Sequence, residues 1–321
     1  MIADDIRHID YNTLPISDYS RSYILRMLPH LDYYLDIYSL CISKLLHLMH
    51  KKPESLTVVD YGGGHGFLSC MLAHMGFGRV IYVDYNPQAV ETIQSIKQHL
   101  GYGPDVILQG DASSLRQWCE TNNIHPDGLL GMDVIEHIYR LETFFDDLYA
   151  IGPMPMIFTT GSTPYNPLVV RRLHKVMLAD EHGHNGQPGF YQMRRQYLAE
   201  HLPQLSEQQL DYWAQHTRGL RFSDLLPTVS SGIHPSSNDP YNTCDPATGS
   251  WTERILPIES YQKILIPHGA KIEVCNGFYN THRSGVKAFT SQILNSFLKV
   301  SGPFSRPLAP FILLTITSCN V

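Results

Sequence analysis

Five strand-like apolar segments alternate with amphipathic helical stretches between residues 56 and 159, and two further strand-like segments follow near the C-terminus. That order predicts an α/β chain: a doubly wound, mostly parallel seven-stranded sheet with helices on both faces. A glycine-rich turn after the first strand, with acidic residues closing the next three, predicts a ligand site beyond the carboxyl ends of the strands. Four regions follow: an N-terminal helical layer over 1–52, a core over 53–160, an insertion or lid over 161–255, and a completion of the sheet over 256–321.

In the N-terminal layer, Leu31, Tyr34, Leu35, Tyr38, Ile42, Leu45, Leu46 and Met49 recur at helical spacing and define one buried face. Leu56–Val59 reads as a short buried strand entering the glycine turn, after which Phe67, Leu68, Met71, Leu72 and Met75 resume the helical period. Arg79–Val83 gives the second strand, and Asn86-Pro87 opens the next helix with a capping residue and a proline at its first position. Strands at 105–108 and 127–132 end at Asp111 and Asp133; a helix near 141–149 and a strand at 154–159 complete the alternation. The stretch 161–253 is polar and rich in His, Gln, Pro and Ser, and one amphipathic helix is expected in it, near Met193–Leu202. Helices near 258–266 and 286–300 and strands at 271–275 and 311–316 finish the chain, one of the late strands antiparallel.

Composition narrows the function classes. With 24 Lys and Arg against 30 Asp and Glu the formal charge is −6, and no long basic run is present, so a nucleic-acid partner is not expected. The six cysteines, at 41, 70, 119, 244, 275 and 319, lack metal or redox spacing and read as reduced thiols. No apolar run reaches the roughly 20 residues of a membrane span and the N-terminus lacks secretory order, so a cytoplasmic chain with no membrane partner is expected.

The glycine turn is Asp60-Tyr61-Gly62-Gly63-Gly64-His65-Gly66. Its spacing differs from the G-x-G-x-x-G pattern that delivers a pyrophosphate to a helix N-terminus. It resembles motif I of the Rossmann-like, class I S-adenosylmethionine-dependent methyltransferases. The resemblance implies that Asp60, Gly62, Gly64 and Gly66 pass the aminoacyl and ribose parts of S-adenosylmethionine. Asp84, ending the second strand, supplies a carboxylate able to accept two ribose hydroxyls, each bond worth about 1.5–3 kcal/mol. Asp111 and Ala112 would lie at the adenine, and Asp133 ends the fourth strand beside the cofactor.

Asp133-Val-Ile-Glu136-His137 and the Ser162-Thr-Pro-Tyr-Asn166 turn are similar to segments of the ubiquinone-biosynthesis O-methyltransferases and the small-RNA terminal 2′-O-methyltransferases. That resemblance covers roughly 55–185 and implies a divalent cation, Mg²⁺ or another, held by Asp133, Glu136, His137 and His182. Asp133 stands where those groups usually have Glu. Without a metal, His137 is the expected general base, with His182 and His184 as alternatives. A phenol near pKa ~10 facing a histidine near ~6.5 is mismatched by about 5 kcal/mol, and coordination of the hydroxyl would narrow that gap. The reaction expected is O-methylation of a small-molecule hydroxyl, under a lid to which Tyr165, Asn166, Arg171, Arg172, Tyr191 and Trp251 are candidates. An RNA 2′-O-methyltransferase, a non-catalytic S-adenosylmethionine-binding module and an NAD-linked enzyme are the alternatives.

Overall fold

Residues rich in Val, Ile and Leu and buried on both faces favour parallel strands, and the computed structural model places them so. It describes residues 2–184, 186–234 and 239–318. Helices α1 (Ile2–His8), α2 (Asp18–Met27) and α3 (Leu31–Met49) lead into β1 (Thr57–Tyr61), α4 (Phe67–His74), β2 (Arg79–Asp84), α5 (Pro87–Leu100), β3 (Val106–Gln109), α6 (Ala112–Asn122), β4 (Gly128–Met132), α7 (Leu141–Ile151) and β5 (Met156–Thr160). Four helices follow: α8 (Pro167–His182), α9 (Phe190–His201), α10 (Glu207–His216) and α11 (Phe222–Ser231). Then come α12 (Ile258–Leu265), β6 (Ala270–Asn276), α13 (Val286–Ser301) and β7 (Ile312–Ser318).

The strands form one seven-stranded sheet in the order β3-β2-β1-β4-β5-β7-β6. The first five are parallel, while β7 runs antiparallel to both β5 and β6. The strand order reverses direction at β1 and β4, which places a crevice at their carboxyl ends. Val58, Val59, Val80–Val83, Leu129, Leu130 and Met156–Phe158 are fully buried along the central strands. Helix α3 seats Leu45 against the backbone of β4 so closely that a Cβ at Gly128 would lie 2.5 Å from Leu45 Cδ1. The outer strand β6 carries Lys271 and Glu273 on its exposed positions, charges that discourage pairing at an open edge.

The chain divides into two compact units. The sheet unit contains residues up to Ile135, Glu142–Thr160 and everything from Glu259. The N-terminal helices fall in the same unit as the sheet. The second unit comprises Glu136–Leu141 and Gly161–Ile258, close to the expected insertion. It is far more helical than its composition suggested: α8, α10 and α11 join the one expected helix, α9. Their caps explain the helices. Asn166 Oδ1 accepts the N–H groups of Leu168 and Val169, and Ser206 with Gln209 forms a reciprocal capping box at α10. Leu198, Leu210, Leu225 and Val229 give this unit a core of its own.

Cys41, Cys70, Cys119, Cys244 and Cys275 are free thiols, as expected, and Cys319 lies outside the described residues. Among the described residues no helix is long and apolar enough to cross a membrane.

Candidate active site

The glycine turn begins where β1 ends. Gly62 takes φ +67°, and a Cβ there would sit 2.3 Å from a methyl of Val134, so only glycine lets the turn close against the chain leaving β4. Gly66, at φ +77°, is equally closed, by Ile93 of α5. Gly64 is different: a Cβ at this position would meet nothing within 4 Å. The turn is therefore walled in at Gly62, at Gly63, where a Cβ would lie 2.5 Å from the Tyr82 ring, and at Gly66, and is open at Gly64.

Asp84 ties this turn to the end of β2. Its Oδ2 accepts the Gly64 N–H at 2.9 Å and its Oδ1 accepts the Asn86 N–H at 2.9 Å. An ionised carboxylate has about four lone-pair sites, so both oxygens keep capacity for further donors. Burial raises the Asp84 pKa, an effect opposed by the two backbone donors. Tyr82 supports the turn from below, its hydroxyl donating to the Gly64 carbonyl at 2.6 Å.

Asp60 is buried, and its Oδ2 accepts the Ser69 hydroxyl at 2.6 Å. Burial pushes its carboxyl up to about 7, with a further rise from the Asp84 charge and a partial offset from Ser69. His65, inside the turn, is held neutral: burial lowers it to about 4.

Asp111 caps helix α6. Its Oδ1 accepts the Ser114 N–H at 3.1 Å and the hydroxyls of Ser113 and Ser114 at 2.8 and 3.2 Å. Burial alone would raise its pKa, but these donors prevail and hold it below the usual carboxylate range. All three capping bonds fall on Oδ1. Ala112 is buried as the first residue of α6.

Asp133 leaves β4 at φ 48°, a left-handed conformation that costs a residue with a Cβ about 1–2 kcal/mol. The strain is held by its backbone N–H, which donates to the Thr159 carbonyl at 3.1 Å. Around its exposed carboxylate the sheet unit gathers tyrosines that sequence reasoning had treated as packing or passed over. Burial, and then the Asp133 charge, push the phenols of Tyr33 and Tyr34 up. Tyr38, fully buried, is raised by burial and then by Asp60 and Asp133. Tyr23 of α2 is raised by burial, by Tyr34 and by Asp133, and its ring stacks on His65 with centroids 4.5 Å apart. The only sequence signal was the density of tyrosine in α2 and α3, and helical periodicity had already assigned Tyr34 and Tyr38 to a buried face.

Among the described residues no group of three or more His, Cys, Asp and Glu side chains that could hold a metal ion is present, so the expected ligand set Asp133, Glu136, His137 and His182 gains no support. The physical reason is local. Residues Ile135–His137 form a single 3-10 turn rather than the first turn of an α-helix, so spacings of three and four residues do not converge on one helical face. Glu136 is buried, and its carbonyl accepts the Arg254 N–H at 3.2 Å. His182 ends α8 as an exposed residue, and the His184 ring pairs with Asp180 at 3.1 Å. Glu181, just before His182, is committed to structure through Arg194 at 2.5 Å and the Thr243 hydroxyl at 2.7 Å.

In the second unit, His137 Nδ1 lies 2.7 Å from the Trp251 carbonyl. A carbonyl only accepts, so Nδ1 carries the proton and Nε2 keeps its lone pair. Of the lid candidates, Asn166 is a helix cap, Tyr191 donates to Asp211, and Trp251 donates its indole N–H to the Tyr139 carbonyl. These three perform structural work within their own unit.

No family model matches the chain. A stretch of 54 residues, 16% of the chain, is 44% identical to the ribosomal protein L11 methyltransferase of Pelobacter propionicus, and it spans only 18% of that relative. Among solved structures, the chain is similar to a magnesium protoporphyrin IX methyltransferase from Synechocystis PCC 6803 with bound SAH, at 15% identity and a TM-score of 0.41, covering 98% of this chain and 93% of that one. It is also similar to an S-adenosylmethionine-dependent methyltransferase from Mesorhizobium loti, at 14% identity and a TM-score of 0.40, covering 85% and 95%. At such scores these similarities carry no functional argument. The fold stands on the strand order itself, a Rossmann-like seven-stranded sheet with an antiparallel β7.

Proposed function

We propose that this chain is an S-adenosylmethionine-dependent methyltransferase that transfers a methyl group to the hydroxyl of a small molecule. The observation that carries the reading is the bond from the Gly64 N–H to Asp84 Oδ2, which sets a partly committed carboxylate beside the one open glycine of the turn. That pairing suits a nucleoside: hydroxyls of the ribose meet the remaining acceptor sites of Asp84, and the aminoacyl arm follows the turn. Asp60, poised near neutrality by burial, suits the ammonium end of that arm, whose positive charge would favour the ionised carboxylate. Asp111 has its Oδ2 for the amine of the base, since the cap uses Oδ1.

When bound, the sulfonium supplies an already activated methyl group. The protein's share is positioning, which accounts for up to about 7–11 kcal/mol of a barrier when reacting groups are held in line. Tyr23 and Tyr34 with Asp133 provide hydroxyl donors and one carboxylate to orient a polar acceptor, while the Tyr33 hydroxyl donates to the Phe278 carbonyl. His137 is the general base of this reading, since Trp251 fixes its tautomer and leaves Nε2 a lone pair. His182 and His184 are weaker candidates, one exposed at a helix end and the other paired with Asp180. The finer kinship to the ubiquinone-biosynthesis O-methyltransferases rests on the 133–137 and 162–166 segments.

The test is transfer of labelled methyl from S-adenosylmethionine into a small-molecule extract. Label in small-molecule ethers is the expected result. Label confined to RNA or protein, or none above background, contradicts the reading.

A further inference from the structure

Helix α13 is amphipathic in an inverted sense. Its inner face is fastened by polar groups: Asn295 accepts the Tyr279 N–H at 2.7 Å and donates to the Tyr279 carbonyl at 2.9 Å, and Ser291 and Leu298 are buried. Its outer face is apolar. Val286, Phe289, Ile293, Phe297 and Val300 recur at spacings of three and four residues, so they form one stripe along the helix, and all are exposed. Phe304, in the 3-10 turn that follows, extends the stripe and is 93% exposed. Phenylalanines left in water at this density cost free energy, and a patch of this kind marks a surface that is covered in use.

The charge pattern indicates what covers it. From residue 274 to the end of the chain there is no Asp or Glu, while Arg283, Lys287, Lys299 and Arg306 are all cationic. This holds in a chain whose net charge is −6. At about 100° per residue, Lys287 and Lys299 lie roughly 120° to either side of the stripe's centre, where long side chains reach toward headgroups while their stems lie along apolar surface. A second copy of the same face would bring cations against cations with no acidic residue to pair them. An anionic lipid surface meets both features, accepting the apolar stripe at the acyl boundary and the lysines at the phosphates.

We propose that α13 and the turn after it form an interfacial membrane-binding surface selective for anionic phospholipid. The sequence suggested no membrane partner because no segment is long enough to span a bilayer; a helix lying in the interface needs no such length. The proposal is independent of the cofactor reading.

The experiment is co-sedimentation of the full chain with vesicles of phosphatidylcholine alone or with about a quarter phosphatidylglycerol, at low and high salt. Binding is expected only to the anionic vesicles and is weakened by salt. The variant Phe289→Ser/Phe297→Ser lowers partitioning by at least roughly tenfold, and so does Lys287→Glu/Lys299→Glu, which keeps the apolar stripe intact. Both variants retain the affinity of the parent for S-adenosylhomocysteine, or its thermal unfolding profile where no nucleoside binds. Equal binding to both vesicle types, or to neither, overturns the proposal. So does a wild-type dimer in sedimentation velocity that Phe289→Ser/Phe297→Ser converts to monomer, since the stripe would then cover a second copy.

Discussion

The ring of Tyr23 lies on the imidazole of His65, centroids 4.5 Å apart and planes 23° from parallel. Helix α2 thereby rests on the glycine turn near its end at Gly66 through a pair of aromatic faces, one of them a histidine that burial keeps neutral. An aromatic contact of this kind contributes about 0.5–1.5 kcal/mol beyond the area it buries. Tyr23→Leu is expected to loosen the turn and weaken S-adenosylhomocysteine binding by roughly threefold to tenfold. Tyr23→Phe, which keeps the ring, is expected to bind as the parent does. Calorimetric titration of both variants reads the difference, and equal loss in both would assign the effect to the hydroxyl instead.

Asp60 gives the free protein a pH dependence of known sign. Its carboxyl is raised from the ordinary value to about 7, chiefly by burial, so the folded state holds a proton that the unfolded chain releases near pH ~4. The associated stability is full below that lower value and is lost as pH rises through about 7. Asp60→Asn removes the titration. Urea unfolding is therefore expected to show the variant gaining about 2 kcal/mol on the parent between pH ~5 and pH ~8. A difference between the two proteins that stays constant with pH contradicts the buried, neutral carboxyl.

His137→Asn separates orientation from proton transfer. The asparagine amide can still donate to the Trp251 carbonyl, but nothing replaces Nε2. Turnover is expected to fall by about 10²–10⁴ with little change in S-adenosylhomocysteine affinity. Retention of turnover in a steady-state assay would transfer the proton-accepting role to another group.

Chelation provides a fourth check. Since the described residues assemble no set of three metal ligands, prolonged dialysis against a chelator is expected to leave methyl transfer unchanged, and added Mn²⁺ to restore nothing. Activity lost to the chelator and recovered with Mn²⁺ would reinstate the acidic and histidine ligands near the end of β4.

The sheet was legible because its signals are local and repeated. Each strand is a short apolar run bounded by turn residues, and β1 to β7 fall within two or three residues of the expected segments. The glycine turn and Asp84 were legible for the same reason, since tight turns demand particular residues at fixed offsets. The helices α8, α10 and α11 were hidden because their stability comes from caps such as Asn166 and Ser206 and from a small separate core, on a polar background that masks helical periodicity. The tyrosines around Asp133 were hidden by distance along the chain, since Tyr23, Tyr33 and Tyr34 lie about a hundred residues before it. At 133–137 spacing alone does not give proximity, because it does so only on a regular helix and the backbone there turns left-handed and then 3-10.

The most direct test is calorimetric titration of the purified chain and of Asp84→Ala with S-adenosylhomocysteine and, separately, with NAD. The parent is expected to bind the nucleoside and not the dinucleotide, and the variant to bind it about 10- to 100-fold more weakly, as loss of charged hydrogen bonds requires. Uptake of NAD in preference to the nucleoside, or an affinity indifferent to the carboxylate at position 84, would contradict the account.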